Sequence, residues 1–231
     1  MTTTMTASPP LLQTTIGKKI AMAGSGVVLM AWLWAHMLGN LKLWIGTGEY
    51  DHYAHWLRVA LDPPFPYAWF LDIIRVVSLV ALAVHIYFAV VLSVRSKRAR
   101  RVGYQRTDRV QANVASMTMR WGGLAIFLFL VFHLAMFTWG WITPGFRYSF
   151  AHPAQMVIGA FGVWWVVVIY IAALLALGLH IYHASWSMFQ TFGVNSRRWN
   201  TAVRRFALIN ATALFVGFAS LPLGVATGAI H

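Results

Sequence analysis

The chain has 231 residues, 59% hydrophobic and only 10% charged, with a mean hydropathy of +0.65. A soluble domain is about a quarter charged, so these values exclude a water-soluble enzyme and indicate an integral membrane protein. The net charge of +13 comes from 18 Lys and Arg against five Asp and Glu. The cations lie between apolar stretches, a pattern that points to cytoplasmic loops and anionic lipid, with no nucleic acid as partner.

Met1 to Gly17 reads as a cytoplasmic leader, without the basic start and apolar core of a signal peptide. Lys18 and Lys19 mark entry into the first span, Ile20 to about Ile45, long enough for a bilayer crossing of about 20 residues. The small patch Gly24-Ser25-Gly26 lets a helix or flat ligand approach closely, and His36 lies in the second half of the span. Gly46 to Tyr67 is a polar connection with Glu49, Asp51, His52, Tyr53, His55, Arg58 and Asp62, closed by Pro63-Pro64-Phe65-Pro66. Tyr53 to Arg58 is expected to be a short interfacial helix.

The second span, Ala68 to Val94, carries Asp72 and Arg75 on one helix face and His85 in its second half. Arg95 to Arg109 is the most basic loop and is expected on the cytoplasmic side. Arg120 opens the third span, Trp121 to about Trp141, which contains His133. Thr143 to Gln155 is short and expected outside. The fourth span, Met156 to about Gln190, carries His180 and His183 and is expected to run as one continuous helix. A second basic loop with Arg197, Arg198, Arg204 and Arg205 precedes the fifth span, Phe206 to about Thr227, which has no histidine. The reading is therefore a single all-α domain with five membrane helices. Four of them form a bundle and the fifth is peripheral, with the N-terminus cytoplasmic and the C-terminus external.

Ionisable side chains inside a bilayer are expensive and mark functional sites. His36, His85, His133 and His180 each lie in a different span. At about 1.5 Å of rise per residue, His36 lies roughly 25 Å from Lys19 and His133 roughly 20 Å from Arg120, both in the outer half. His85 lies roughly 15 Å before Arg95, and His180 at a similar depth before Gln190, both in the inner half. Depth therefore pairs His36 with His133 and His85 with His180, as two bis-histidine b-type haems require. Without cysteine, the chain offers no thiolate for an iron–sulfur cluster and no c-type haem attachment.

Lesser candidates surround these four. His183 shares a face with His180 and is either an alternative ligand or a donor to a propionate. Ser25, Arg75 and Arg120 are candidate propionate or supporting contacts, although Arg120 also suits snorkelling to the interface. Asp72 is either Arg75's ion-pair partner or a proton-exchange group at a quinone, for which Tyr53 and His55 are further candidates. His52 and His152 read as solvated loop residues.

Two runs carry a family resemblance: His36-Met37-Leu38-Gly39-Asn40-Leu41-Lys42 followed by Tyr53-Ala54-His55-Trp56-Leu57-Arg58, and Leu179-His180-Ile181-Tyr182-His183-Ala184-Ser185-Trp186-Ser187-Met188-Phe189-Gln190-Thr191-Phe192-Gly193. From about Lys18 to Thr227 the chain resembles the membrane-anchor cytochrome b subunit of succinate dehydrogenase and fumarate reductase, in its single-anchor, five-helix, di-haem form. The resemblance implies a bacterial cytoplasmic-membrane protein that anchors a flavoprotein subunit and an iron–sulfur subunit on the cytoplasmic side. It implies electron transfer from succinate to menaquinone or another quinone, within a complex that can form higher oligomers. It implies the same four ligands in the same pairs, with His183 at a position that relatives fill with a non-ligand. The family's quinone-site acid falls on Glu49, Asp62 or Asp72. The chain would not oxidise succinate itself; that chemistry belongs to a partner. Alternatives are a cytochrome b anchor of another quinone-linked dehydrogenase or hydrogenase, and a family member with a different membrane redox centre in place of haem.

Overall fold

The computed structural model describes residues 10–99, 114–194 and 196–231, and every regular element among them is helical. The α-helices are α1 Thr15–Leu41, α2 Thr47–Val59, α3 Trp69–Arg98, α4 Val114–Phe137, α5 Pro153–Phe161, α6 Trp164–Thr191 and α7 Arg197–Ala226. Short 3-10 turns occupy Leu11–Gln13 and Lys42–Trp44. Five helices, α1, α3, α4, α6 and α7, are long and apolar enough to cross a membrane. In hydrocarbon a backbone must satisfy its own hydrogen bonds, so an apolar run of that length closes into a helix.

α1 starts at Thr15 and not at Ile20, because Thr14 caps it: its side chain accepts from the Gly17 amide at 2.9 Å. Lys18, only 8% exposed, donates to the Leu12 and Gln13 carbonyls at 2.6 and 3.2 Å and ties the preceding turn to the helix. The interfacial helix expected over Tyr53 to Arg58 extends over all of α2. Of the first basic loop, Arg95, Lys97 and Arg98 form the last turn of α3, where cations complement the helix dipole. Arg100, Arg101, Arg106 and Arg109 lie outside the described residues.

The fourth span does not run unbroken from Met156. Its first part is α5, and the chain turns at Gly162 and Val163 before α6 begins at Trp164. Packing dictates the break. α5 buries Ala154, Met156, Val157, Ala160 and Phe161, and its Gly159 lies against Gly145 of the preceding loop. A side chain at either glycine would strike the other's backbone.

The fifth span is less peripheral than expected. α7 packs along α6 and touches α1 and α5. It buries 39% of its most apolar window, against 6% for α3. Small residues permit this, since Gly217 receives Met37 and Gly224 receives Trp44 and Ile230. A buried polar knot fastens the contact. Trp34 Nε1 donates to Asn210 Oδ1 at 2.8 Å, and Asn210 Nδ2 donates to Ser185 Oγ at 2.9 Å.

The remaining spans form two layers. α3 lies along α1, and α4 lies along α6. Among the described residues, α3 has no extensive contact with α4 or α6, and α1 has none with α4. The layers join where α1 packs on α6, and the histidines meet across the helix pairs that lack such contact.

Candidate functional site

Each histidine pair spans the two layers. His36 of α1 and His133 of α4 have ring centres 5.9 Å apart, with planes at 87°. His85 of α3 and His180 of α6 have ring centres 6.2 Å apart, at 62°. Both pairs join helices that do not pack closely on one another, and they are the two pairs expected from depth.

At the first pair the surroundings are aromatic. Trp32, one turn before His36, stacks on it at 4.7 Å and 10°, and Phe218 of α7 closes another side at 5.7 Å. Phe137 and Phe129 flank His133 at 5.5 and 6.0 Å. His133 Nδ1 lies 2.9 Å from the Tyr170 hydroxyl.

At the second pair two of the neighbouring positions are glycines. A Cβ on Gly26 would lie 3.4 Å from His85 Cε1, and one on Gly123 would lie 3.9 Å from His180 Cε1. His85 Nδ1 is 3.2 Å from the Met22 carbonyl, which also accepts from Ser25 Oγ at 2.9 Å. His180 Nδ1 and His183 Nδ1 are buried without a hydrogen-bond partner. Native interiors rarely leave such atoms unsatisfied, except where a site takes a ligand or performs chemistry.

The ring centres can be set against the spacing that one shared iron would need. A ring nitrogen binds a metal ion at about 2.0–2.1 Å, so two imidazoles on opposite sides of one ion have ring centres roughly 6.4 Å apart. With Nδ1 of His85 and of His133 engaged elsewhere, Nε2 is the nitrogen left to face an iron. Gly26 and Gly123 put no side chain beside the second pair, and His183 Nδ1 is a buried, unpartnered nitrogen on the same helix as His180.

Arg75 and Asp72 form an ion pair at 2.8 Å, with both side chains about half exposed. Arg75 also shares a cavity of about 80 Å³ with Arg58, Phe137, Thr138, Tyr148 and Ser149. Phe137 is the wall between this cavity and His133. Two guanidiniums against one carboxylate leave a net positive site next to the first pair. Arg120 is exposed on α4. Ser25 lines an open apolar groove between α1 and α3, of about 490 Å³, with its hydroxyl directed to Met22.

The three quinone candidates make separate contacts. Tyr53 packs on Gly39 and stacks with Trp56 at 5.9 Å, His55 is exposed, and Asp72 is held by Arg75. Among the described residues no hydrogen bond or ring contact joins them. Instead α2 is seated by Tyr50, which donates to Asn40 Oδ1 at 2.9 Å. Burial first, then the nearby Asp51 and Tyr53, pushes the Tyr50 hydroxyl up to about 12, so it remains a donor. Asp51 accepts from the Ala154 amide at 2.8 Å, and His152, expected as a loop residue, lies 3.7 Å from the same carboxylate.

Tyr170, Arg58, Asn210 and Met22 did not stand out as site residues in the sequence. Tyr170 and Asn210 carried a usable signal, a lone polar group inside an apolar span. Met22 carried none, because it acts through its main chain. Neither family models, nor curated proteins, nor solved structures gave a match to this chain.

Proposed function

We propose that this chain is a di-haem membrane cytochrome b, the electron-transfer anchor of a succinate:quinone oxidoreductase. The observation that carries the reading is the pair geometry: two histidine pairs, each bridging unpacked helices at a spacing that suits one iron. The two runs resembling succinate dehydrogenase anchors select this function over other quinone-linked dehydrogenases.

His36 and His133 would hold one haem and His85 and His180 the other; bound haem supplies one-electron chemistry. The chain's own residues orient and shield. Trp32, Phe129, Phe137 and Phe218 exclude water from the first pair, and Gly26 and Gly123 put no side chain beside the second. Arg58 and Arg75 offer charge to a propionate at the first site, and His183 offers a nitrogen at the second. With the N-terminus cytoplasmic, the second pair is the inner one, nearer a flavoprotein and iron–sulfur partner, and the first pair is the outer one. The substrate accepting the electrons is menaquinone or another quinone.

The test is purification from the native membrane in mild detergent. The chain should bring two b-type haems and a flavin- and iron–sulfur-containing partner, and succinate should reduce haem. A preparation with haem that succinate does not reduce contradicts the succinate assignment. A preparation without haem contradicts the cytochrome.

A further inference from the structure

Tyr170 of α6 is 6% exposed. Phe129 and Phe161 meet its ring edge-on at 4.8 and 4.9 Å, with Phe132 and Phe137 at 6.4 and 6.5 Å. Phenylalanine would fill such a cage without burying a hydroxyl, which costs about 1–3 kcal/mol when unsatisfied. The hydroxyl's partner here is His133 Nδ1 at 2.9 Å. The aromatic cage thus aims one polar atom at one nitrogen of one histidine.

The tautomer fixes the direction of that bond. An imidazole that binds iron through Nε2 carries its proton on Nδ1. Nδ1–H donates and the phenol oxygen accepts. An acceptor at this position orients the ring and makes it a more basic ligand, which favours the oxidised iron. At the second pair the Met22 main chain plays this part for His85, so a side-chain substitution can alter the first pair alone.

We propose that Tyr170 is the positioning residue for His133: it holds the ring in its iron-binding tautomer and lowers the reduction potential of the haem at that pair. The proposal rests on the di-haem reading above. The experiment is a redox titration of the purified complex, wild type against Tyr170→Phe, followed by optical bands and low-temperature electron paramagnetic resonance. A His133→Ala variant, lacking that haem, assigns the signals. In Tyr170→Phe the reduction constant of the His36–His133 haem should rise about tenfold, equivalent to about 59 mV for a one-electron couple. Its resonance should move while the other haem stays unchanged.

No movement, equal movement of both haems, or a shift towards lower potential overturns the proposal. Should Tyr170→Phe fail to assemble, 3-fluorotyrosine at position 170 keeps the ring and weakens the acceptor. A smaller rise is then expected, and no rise overturns the proposal. A wild type without haem overturns the parent reading and this one with it. Two haems with a silent Tyr170→Phe overturn this one alone.

Discussion

At the His36–His133 pair the rings are met by a tryptophan, three phenylalanines and a phenol. At the His85–His180 pair they are met by two glycines and a main-chain carbonyl, and two nearby ring nitrogens are left without partners. One site is ringed by aromatic side chains, and the other has glycines beside both rings. Two histidine pairs of similar ring spacing are therefore held by different means. A substitution should act on one site and spare the other, unless it touches the helix contacts they share.

The largest expected effect comes from removing a ligand. His133→Ala should halve the haem content, leaving the second site occupied, as read by pyridine haemochrome assay. Loss of both haems would mean that the sites do not form independently. Next is Gly26→Leu, which drives a branched side chain towards the His85 ring, where even a Cβ already makes van der Waals contact at 3.4 Å. It should lower occupancy at the second pair several-fold and leave the first intact, whereas Gly26→Ala should be tolerated. Equal losses at both pairs would remove the distinction. The smallest effect belongs to a shared contact. Asn210→Leu strips Trp34 and Ser185 of their partner across α1, α6 and α7. It should cost about 1–2 kcal/mol, seen as a lower detergent-unfolding midpoint with both haems retained. Selective loss of one haem would assign Asn210 to a site and not to the bundle.

The five long helices were legible in the sequence because each is an apolar run of bilayer length bounded by charge, breakers or polar connections. The histidine pairs were legible because helical rise converts residue number into depth. Other features depend on partners distant in sequence. The break between α5 and α6 follows from Gly159 meeting Gly145, in a stretch with no local breaker as strong as proline. The deep seating of α7 follows from Met37 entering the space at Gly217. The seating of α2 follows from Tyr50 on Asn40 and Asp51 on Ala154, contacts that its own sequence does not encode. Arg58 reads as a loop cation until the fold sets it in one cavity with Arg75.

The central claim is that each histidine pair holds one haem. The most direct measurement is the haem count per chain in wild type, His133→Ala and His85→Ala, purified side by side. Two, one and one are expected, with the two variants retaining spectroscopically different haems. A wild type with no haem, or two variants that keep the same haem, would contradict it.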